Sequence, residues 1–160
     1  MSVLEAKEVS VIRGERRILN GATVSISSGE LKAVVGPNGS GKSTLLRVLA
    51  GVWKTSEGDV LLDSESIARL SRNYMARRVA FVPQEQRIEF AFTVQEVVEM
   101  GRHPHRGRFA RQTANDRQAV ETAMERCDIA HLRYRTVPTL SGGEHQRVLI
   151  ARSLAVQPEF

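Results

Sequence analysis

Apolar and polar positions alternate at the start of the chain. Val3 to Ile12 and Ile18 to Ile26 read as strands, with a turn at Gly14-Glu15 and a break near Asn20-Gly21. Ser27-Ser28-Gly29-Glu30 is a second turn. Leu31 to Val35 is a short run, apolar apart from Lys32 and without alternation, the pattern of a strand buried on both faces. The period then changes. Ser43 to Ala50 reads as a helix closed by Gly51. Val60-Leu61-Leu62 and Val79 to Val82 are further strand candidates. From Thr93 the pattern is helical: Thr93 and Glu96 have capping-box spacing, and Val94, Val97, Val98 and Gly101 share a face. Asp116 to Cys127 predicts another helix, with Ala119, Val120, Ala123, Met124 and Cys127 on one side. A last helix is expected from Ser141 to about Val156, stopped by Pro158. This order predicts an α/β core with a helical insertion.

Composition narrows the class. The 160 residues are 41% hydrophobic and 26% charged, enough to bury a core. The longest apolar runs, such as Val79 to Val82, are far short of the roughly twenty residues of a membrane span. Acids stand among the first eight residues, where a secretion signal needs an apolar stretch. The single cysteine, Cys127, has no internal disulfide partner and is expected to pack on a helix face. A cytoplasmic protein, soluble or peripheral on a membrane, is expected. The net charge is +5, and 19 of the 23 basic residues are Arg. Arg69, Arg72, Arg77 and Arg78 form one loose cluster. Arg102, His103, His105, Arg106, Arg108 and Arg111 form another. Such clusters suit nucleic acid, or simply a solvated face. Aromatics, at 5%, are too few for a base-stacking platform. His103, His105 and Cys127 lack compact metal-ligand spacing.

Two motifs carry chemistry. Gly36-Pro37-Asn38-Gly39-Ser40-Gly41-Lys42-Ser43-Thr44 fits the phosphate-loop pattern and lies between a strand candidate and a helix candidate. Its glycines permit torsions that turn successive amide N–H groups inward on an anion. The following helix adds its positive N-terminal dipole. Lys42 supplies charge to the β and γ phosphates, and the Ser43 hydroxyl is a candidate Mg²⁺ ligand. Further on, Leu140-Ser141-Gly142-Gly143-Glu144-His145-Gln146-Arg147 reads as a capped helix start, Ser141 with Glu144, whose two glycines leave N–H groups open to an anion.

With these two motifs, the chain resembles the ATP-binding subunit of ABC transporters along its whole length. The resemblance implies a P-loop NTPase fold: strands and P-loop core over 1–92, a helical subdomain over 93–139, and a signature motif with its helix over 140–160. Gly36 to Thr44 is similar to the family's Walker A loop, and Leu140 to Glu144 to its signature motif. Gln84, in Phe81-Val82-Pro83-Gln84, resembles the Q-loop glutamine at the Mg²⁺ site. The family implies ATP and Mg²⁺ as cofactors. It also implies a head-to-tail homodimer, with ATP on Lys42 of one subunit covered by Ser141, Gly142 and Gly143 of the other. The other partners implied are transmembrane permease subunits and, indirectly, a substrate-binding protein, at the cytoplasmic face of the membrane. Phe92 to His105, and Glu144 where Gln is commoner, resemble importers of iron-siderophores, haem or cobalamin.

Two departures stand out. Where the family often stacks an aromatic on adenine, this chain has Arg13, whose guanidinium can stack on a flat ring or can be a solvated strand end. The family's apolar strand ending in Asp-Glu, and a later His, do not follow the signature helix within these residues. Val60-Leu61-Leu62-Asp63 does not replace them, since Ser64 follows and the position precedes the signature. The fold is therefore expected to be truncated before Walker B, and the 160 residues to bind ATP weakly without hydrolysing it. The competing reading is a soluble ABC-type ATPase on nucleic acid or ribosomes. The stretch from Gln84 to Ser141 leaves no room for the long coiled coil of its repair-type members.

Overall fold

The paired strands expected at the start of the chain form β1 (Val3–Arg13) and β2 (Arg16–Ser27) in the computed structural model, which describes residues 1–84, 88, 90–106 and 110–160. β1 buries Leu4 and Ala6 and then Val9 and Val11, so the buried parity changes partway along. The cause is a bulge. Glu8 has φ +49, and the register with β2 shifts between Ala6 and Val9. One extra residue turns the remaining side chains back to the core face. Gly58 on the neighbouring strand meets this bulge at φ +73, where a Cβ would lie 2.3 Å from the Glu8 carbonyl oxygen. β3 (Glu57–Leu62) and β4 (Glu65–Ser66) flank an Asp63-Ser64 turn with both φ values positive, the torsions of a tight hairpin. The sheet is antiparallel with order β2-β1-β3-β4. α1 (Lys42–Leu49) lies on β1 and β2 and buries Leu45, Val48 and Leu49.

The chain divides into two compact units, Met1–Met75 with Glu159–Phe160, and Ala76–Pro158. α2 (Arg72–Arg78) spans the division. In the second unit, α3 (Val94–Glu99), α4 (Ala114–Arg126) and α5 (Gly142–Ala155) enclose a core of Val94, Val97, Val98, Val120, Met124 and Val148, with residues of the 129–137 connection. Cys127 packs half-buried against this core, and burial pushes its thiol pKa up.

Three expectations are corrected. Leu31 to Val35 is not a doubly buried strand: it pairs with no described strand, and Leu31 and Val35 are 98% and 90% exposed. Lys32 interrupts the run, and the four described strands form their own sheet without it. Val79 to Val82 is half-buried but likewise forms no strand. Of the first basic cluster, Arg69, Arg72 and Arg77 are exposed, the latter two on α2, and Arg77 Nε donates to the Pro104 carbonyl at 2.7 Å. α4 also starts two residues before Asp116, because Thr113 is the cap and Asp116 its capping-box partner.

Candidate functional site

The phosphate loop lies in the first unit, between the exposed 31–35 run and α1. Gly39 and Gly41 have φ +81 and +92, in the left-handed region that favours glycine. A Cβ on Gly41 would lie 3.0 Å from the Ile18 carbonyl oxygen and 3.1 Å from Leu19 Cδ1, so the turn presses against β2. Gly41 is the N-cap of α1 and offers no side-chain hydrogen bond to the first turn, which also carries no acid. The uncapped amides keep their donors and the helix its positive end. Lys42 Nζ donates to the carbonyls of Gly36 at 2.8 Å and Pro37 at 2.7 Å, which holds its ammonium over the loop. Pro37, Asn38, Gly39, Ser40 and Ser43 are exposed, while Thr44 is buried. The loop therefore presents the Ser43 hydroxyl to solvent and keeps the Thr44 hydroxyl inside. These features fit a polyphosphate: two left-handed glycines, an uncapped helix start and a placed cation.

Arg13 ends β1 and is exposed, with its guanidinium on an aromatic ring. Its Cζ lies 3.5 Å from the Trp53 ring centroid, and Arg47 Cζ lies 4.9 Å from the same ring. Cation–π attraction of this kind is worth about 0.5–2 kcal/mol. No sequence spacing links Arg13 to Trp53; the two meet only through the fold.

In the second unit, Ser141 is the N-cap of α5. Its hydroxyl accepts from the Glu144 amide at 3.3 Å, and Glu144 Oε2 accepts from the Ser141 amide at 2.7 Å. Arg135 sits 3.4 Å from Glu144, and these hydrogen bonds to Ser141 followed by that charge hold the Glu144 carboxyl below its ordinary pKa. Gly142 and Gly143 are exposed, and a Cβ on either would meet nothing. Neither has positive φ. Their own chain gives no steric or torsional reason for glycine. Gln84 is exposed at a bend in the same unit.

Sequence spacing missed a further constellation. Arg102 is buried, 2% exposed, and its Nε donates to Asp116 Oδ1 at 2.9 Å. The cluster that held Arg102 is thus not a uniform basic face, and its Arg108 lies outside the described residues. The one available signal was the Thr113-x-x-Asp116 cap, which places an acid at a helix start near an arginine.

Comparison with known proteins follows this geometry. The ABC transporter family model matches residues 19–160. The cobalamin import ATP-binding protein of Halobacterium salinarum is 50% identical over 139 residues, 87% of this chain and 34% of that protein. The hemin import ATP-binding protein of Pseudomonas fluorescens is 43% identical over 153 residues, 96% of this chain and 58% of its own length. The petrobactin import ATP-binding protein of Bacillus anthracis is 38% identical over 153 residues, 96% of this chain and 56% of its own. The chain thus spans 34–58% of these relatives. A solved nucleotide-free ATP-binding cassette from an ABC transporter superposes with a TM-score of 0.82 at 26% identity, covering 99% of this chain and 66% of that one. With its α/β nucleotide-binding fold and phosphate loop, the chain belongs to the ABC transporter family, as an ATP-binding domain.

Proposed function

We propose that this chain forms part of the ATP-binding subunit of an ABC importer for an iron-siderophore, haem or cobalamin. The phosphate loop carries the reading: an uncapped helix N-terminus, two left-handed glycines and a lysine held over them. Gly36 to Gly41 bind the phosphates through backbone amides, and Lys42 neutralises their charge. Ser43 is the loop residue that would hold Mg²⁺, Gln84 is assigned to it by the family resemblance alone, and the ion would offset phosphate charge. Arg13, with its Cζ over the Trp53 ring, is the candidate platform for adenine. The exposed Ser141, Gly142 and Gly143 then cover the nucleotide of a second copy, since their own chain leaves that helix start open. The cargo classes rest on the names of the relatives, which are import proteins for cobalamin, hemin and petrobactin.

The subunit works at the cytoplasmic face of the membrane, bound to permease subunits and, through them, to a substrate-binding protein. Among the described residues no helix is long and apolar enough to cross a bilayer. Nucleic acid is not a partner in this reading. Within the basic clusters that suggested it, Arg102 is buried against Asp116 and Arg77 donates to the Pro104 carbonyl.

Sedimentation tests the assignment. The complete subunit should pellet with membranes only when its permease subunits are co-expressed, and hydrolyse ATP there. Pelleting with membranes that lack those subunits, or salt-sensitive binding of DNA or RNA, contradicts it.

A further inference from the structure

The Met100–His105 segment grips the far end of the helix that begins at Ser141. Gly101 comes so close to α5 that a Cβ there would lie 2.2 Å from the Arg152 carbonyl oxygen. One residue on, Arg102 is buried and reaches two helices at once. Its Nε donates to Asp116 Oδ1, at the first turn of α4. Its Nη1 donates to the Ala155 carbonyl at 2.8 Å, the Gln157 Oε1 at 3.0 Å and the Val156 carbonyl at 3.5 Å. His105 Nε2 lies 2.8 Å from the same Val156 carbonyl, to which it donates.

The chemistry is complementary at both ends. Carbonyls of the last turn of a helix lack intrahelical donors and carry partial negative charge, so a buried guanidinium satisfies them and favours the dipole. Asp116 does the same for the α4 start: its Oδ2 accepts from the Thr113 amide at 3.0 Å and the Thr113 hydroxyl at 2.8 Å, and Arg106 Nε sits 3.5 Å away. A lysine could meet one of these acceptors, but only the guanidinium fork reaches all of them in fixed geometry.

We infer that Arg102 is a positioning residue for the signature loop: by fastening the C-terminal end of α5 to the start of α4, it sets where Ser141, Gly142 and Gly143 stand. α5 has 14 residues, so it is a rod of about 21 Å, and a tilt at one end displaces the other. The turnover arm of the test rests on the function proposed above; the spectroscopic arm does not.

The comparison is Arg102→Met, Arg102→Lys and, as a control from the same helical core, Val120→Ala. Spin labels at Gln118→Cys on α4 and Gln146→Cys near the start of α5, in a Cys127→Ala background, report the α4–α5 distance. Arg102→Met should at least double the width of that distance distribution, Arg102→Lys should widen it less, and Val120→Ala should leave it narrow. An unchanged distribution in Arg102→Met, or equal broadening in Val120→Ala, overturns the inference. In the complete subunit assembled with its permease, Arg102→Met should lower kcat about tenfold with KM for ATP within twofold. Arg102→Lys should restore part of kcat, and Val120→Ala should keep it. Equal loss of kcat in Val120→Ala also overturns the inference. A wild-type assembly without turnover contradicts the proposed function instead, and the label distances then decide the positioning role.

Discussion

Asp116 shows how much one side chain can be asked to do. It caps α4 through Thr113 and holds Arg102 in the interior. The Thr113 amide, then the Arg102 guanidinium, hold its carboxyl well below the usual carboxylate range against the opposing effect of burial. A carboxyl lowered on folding stabilises the fold above its unfolded pKa, about 3.9, and that contribution is lost as pH falls below it toward the folded value. Asp116→Asn should therefore be less stable than wild type at pH 6, with the gap shrinking as the pH is lowered below about 4. Thermal unfolding of both proteins at several pH values checks this; a gap independent of pH contradicts it. Removing Arg102 instead strands a buried carboxylate, a loss of about 3–5 kcal/mol for pairs of this kind. The Arg102 role was not legible in the sequence. Local spacing shows an arginine in a basic stretch, while its partners come from α4 and the end of α5, brought together only by folding.

Helix caps were the most legible elements. Thr93 with Glu96 and Ser141 with Glu144 were expected from a three-residue spacing, and the structure forms both boxes in full. The reason is that a capping box is local and needs no tertiary context. Strands were harder. β1, β2 and β3 follow from their pattern, yet the β1 bulge at Glu8 is set by a neighbouring strand and its Gly58. Leu31 to Val35 reads as a buried strand and stands bare in these residues, because burial is a property of neighbours and not of the run itself. The candidate site divides in the same way. Its glycine turn and the helix after it were legible, but the strand expected before them is absent and Thr44 is buried; the Arg13–Trp53 stack was not legible. At this scale the signature cap can be tested separately from nucleotide binding. Ser141→Ala should lower stability by about 0.5–2 kcal/mol, as loss of an N-cap does. Binding of MgATP to the same isolated chain should stay within twofold, since the phosphate loop belongs to the other compact unit. Urea unfolding and nucleotide titration measure the two effects. A parallel fall in both contradicts the assignment of Ser141 to a second copy's nucleotide.

For the whole molecule, the basic excess changes meaning once the arginines are placed. A +5 chain suggested a polyanion as partner. Arg17, Arg102, Arg133 and Arg135 instead pair with acids of the same chain, and Arg13 and Arg47 lie on Trp53. Lys42 is held over the phosphate loop by two of its carbonyls, beside the uncapped start of α1, so the central claim is recognition of a nucleotide polyphosphate there. Equilibrium binding of a fluorescent ATP analogue to the 160-residue chain, with Mg²⁺, tests that claim most directly. Wild type should bind it saturably, with competition by unlabelled ATP, and Lys42→Ala should weaken binding at least tenfold while its thermal unfolding stays unchanged. Equal binding by the two folded proteins would contradict the account.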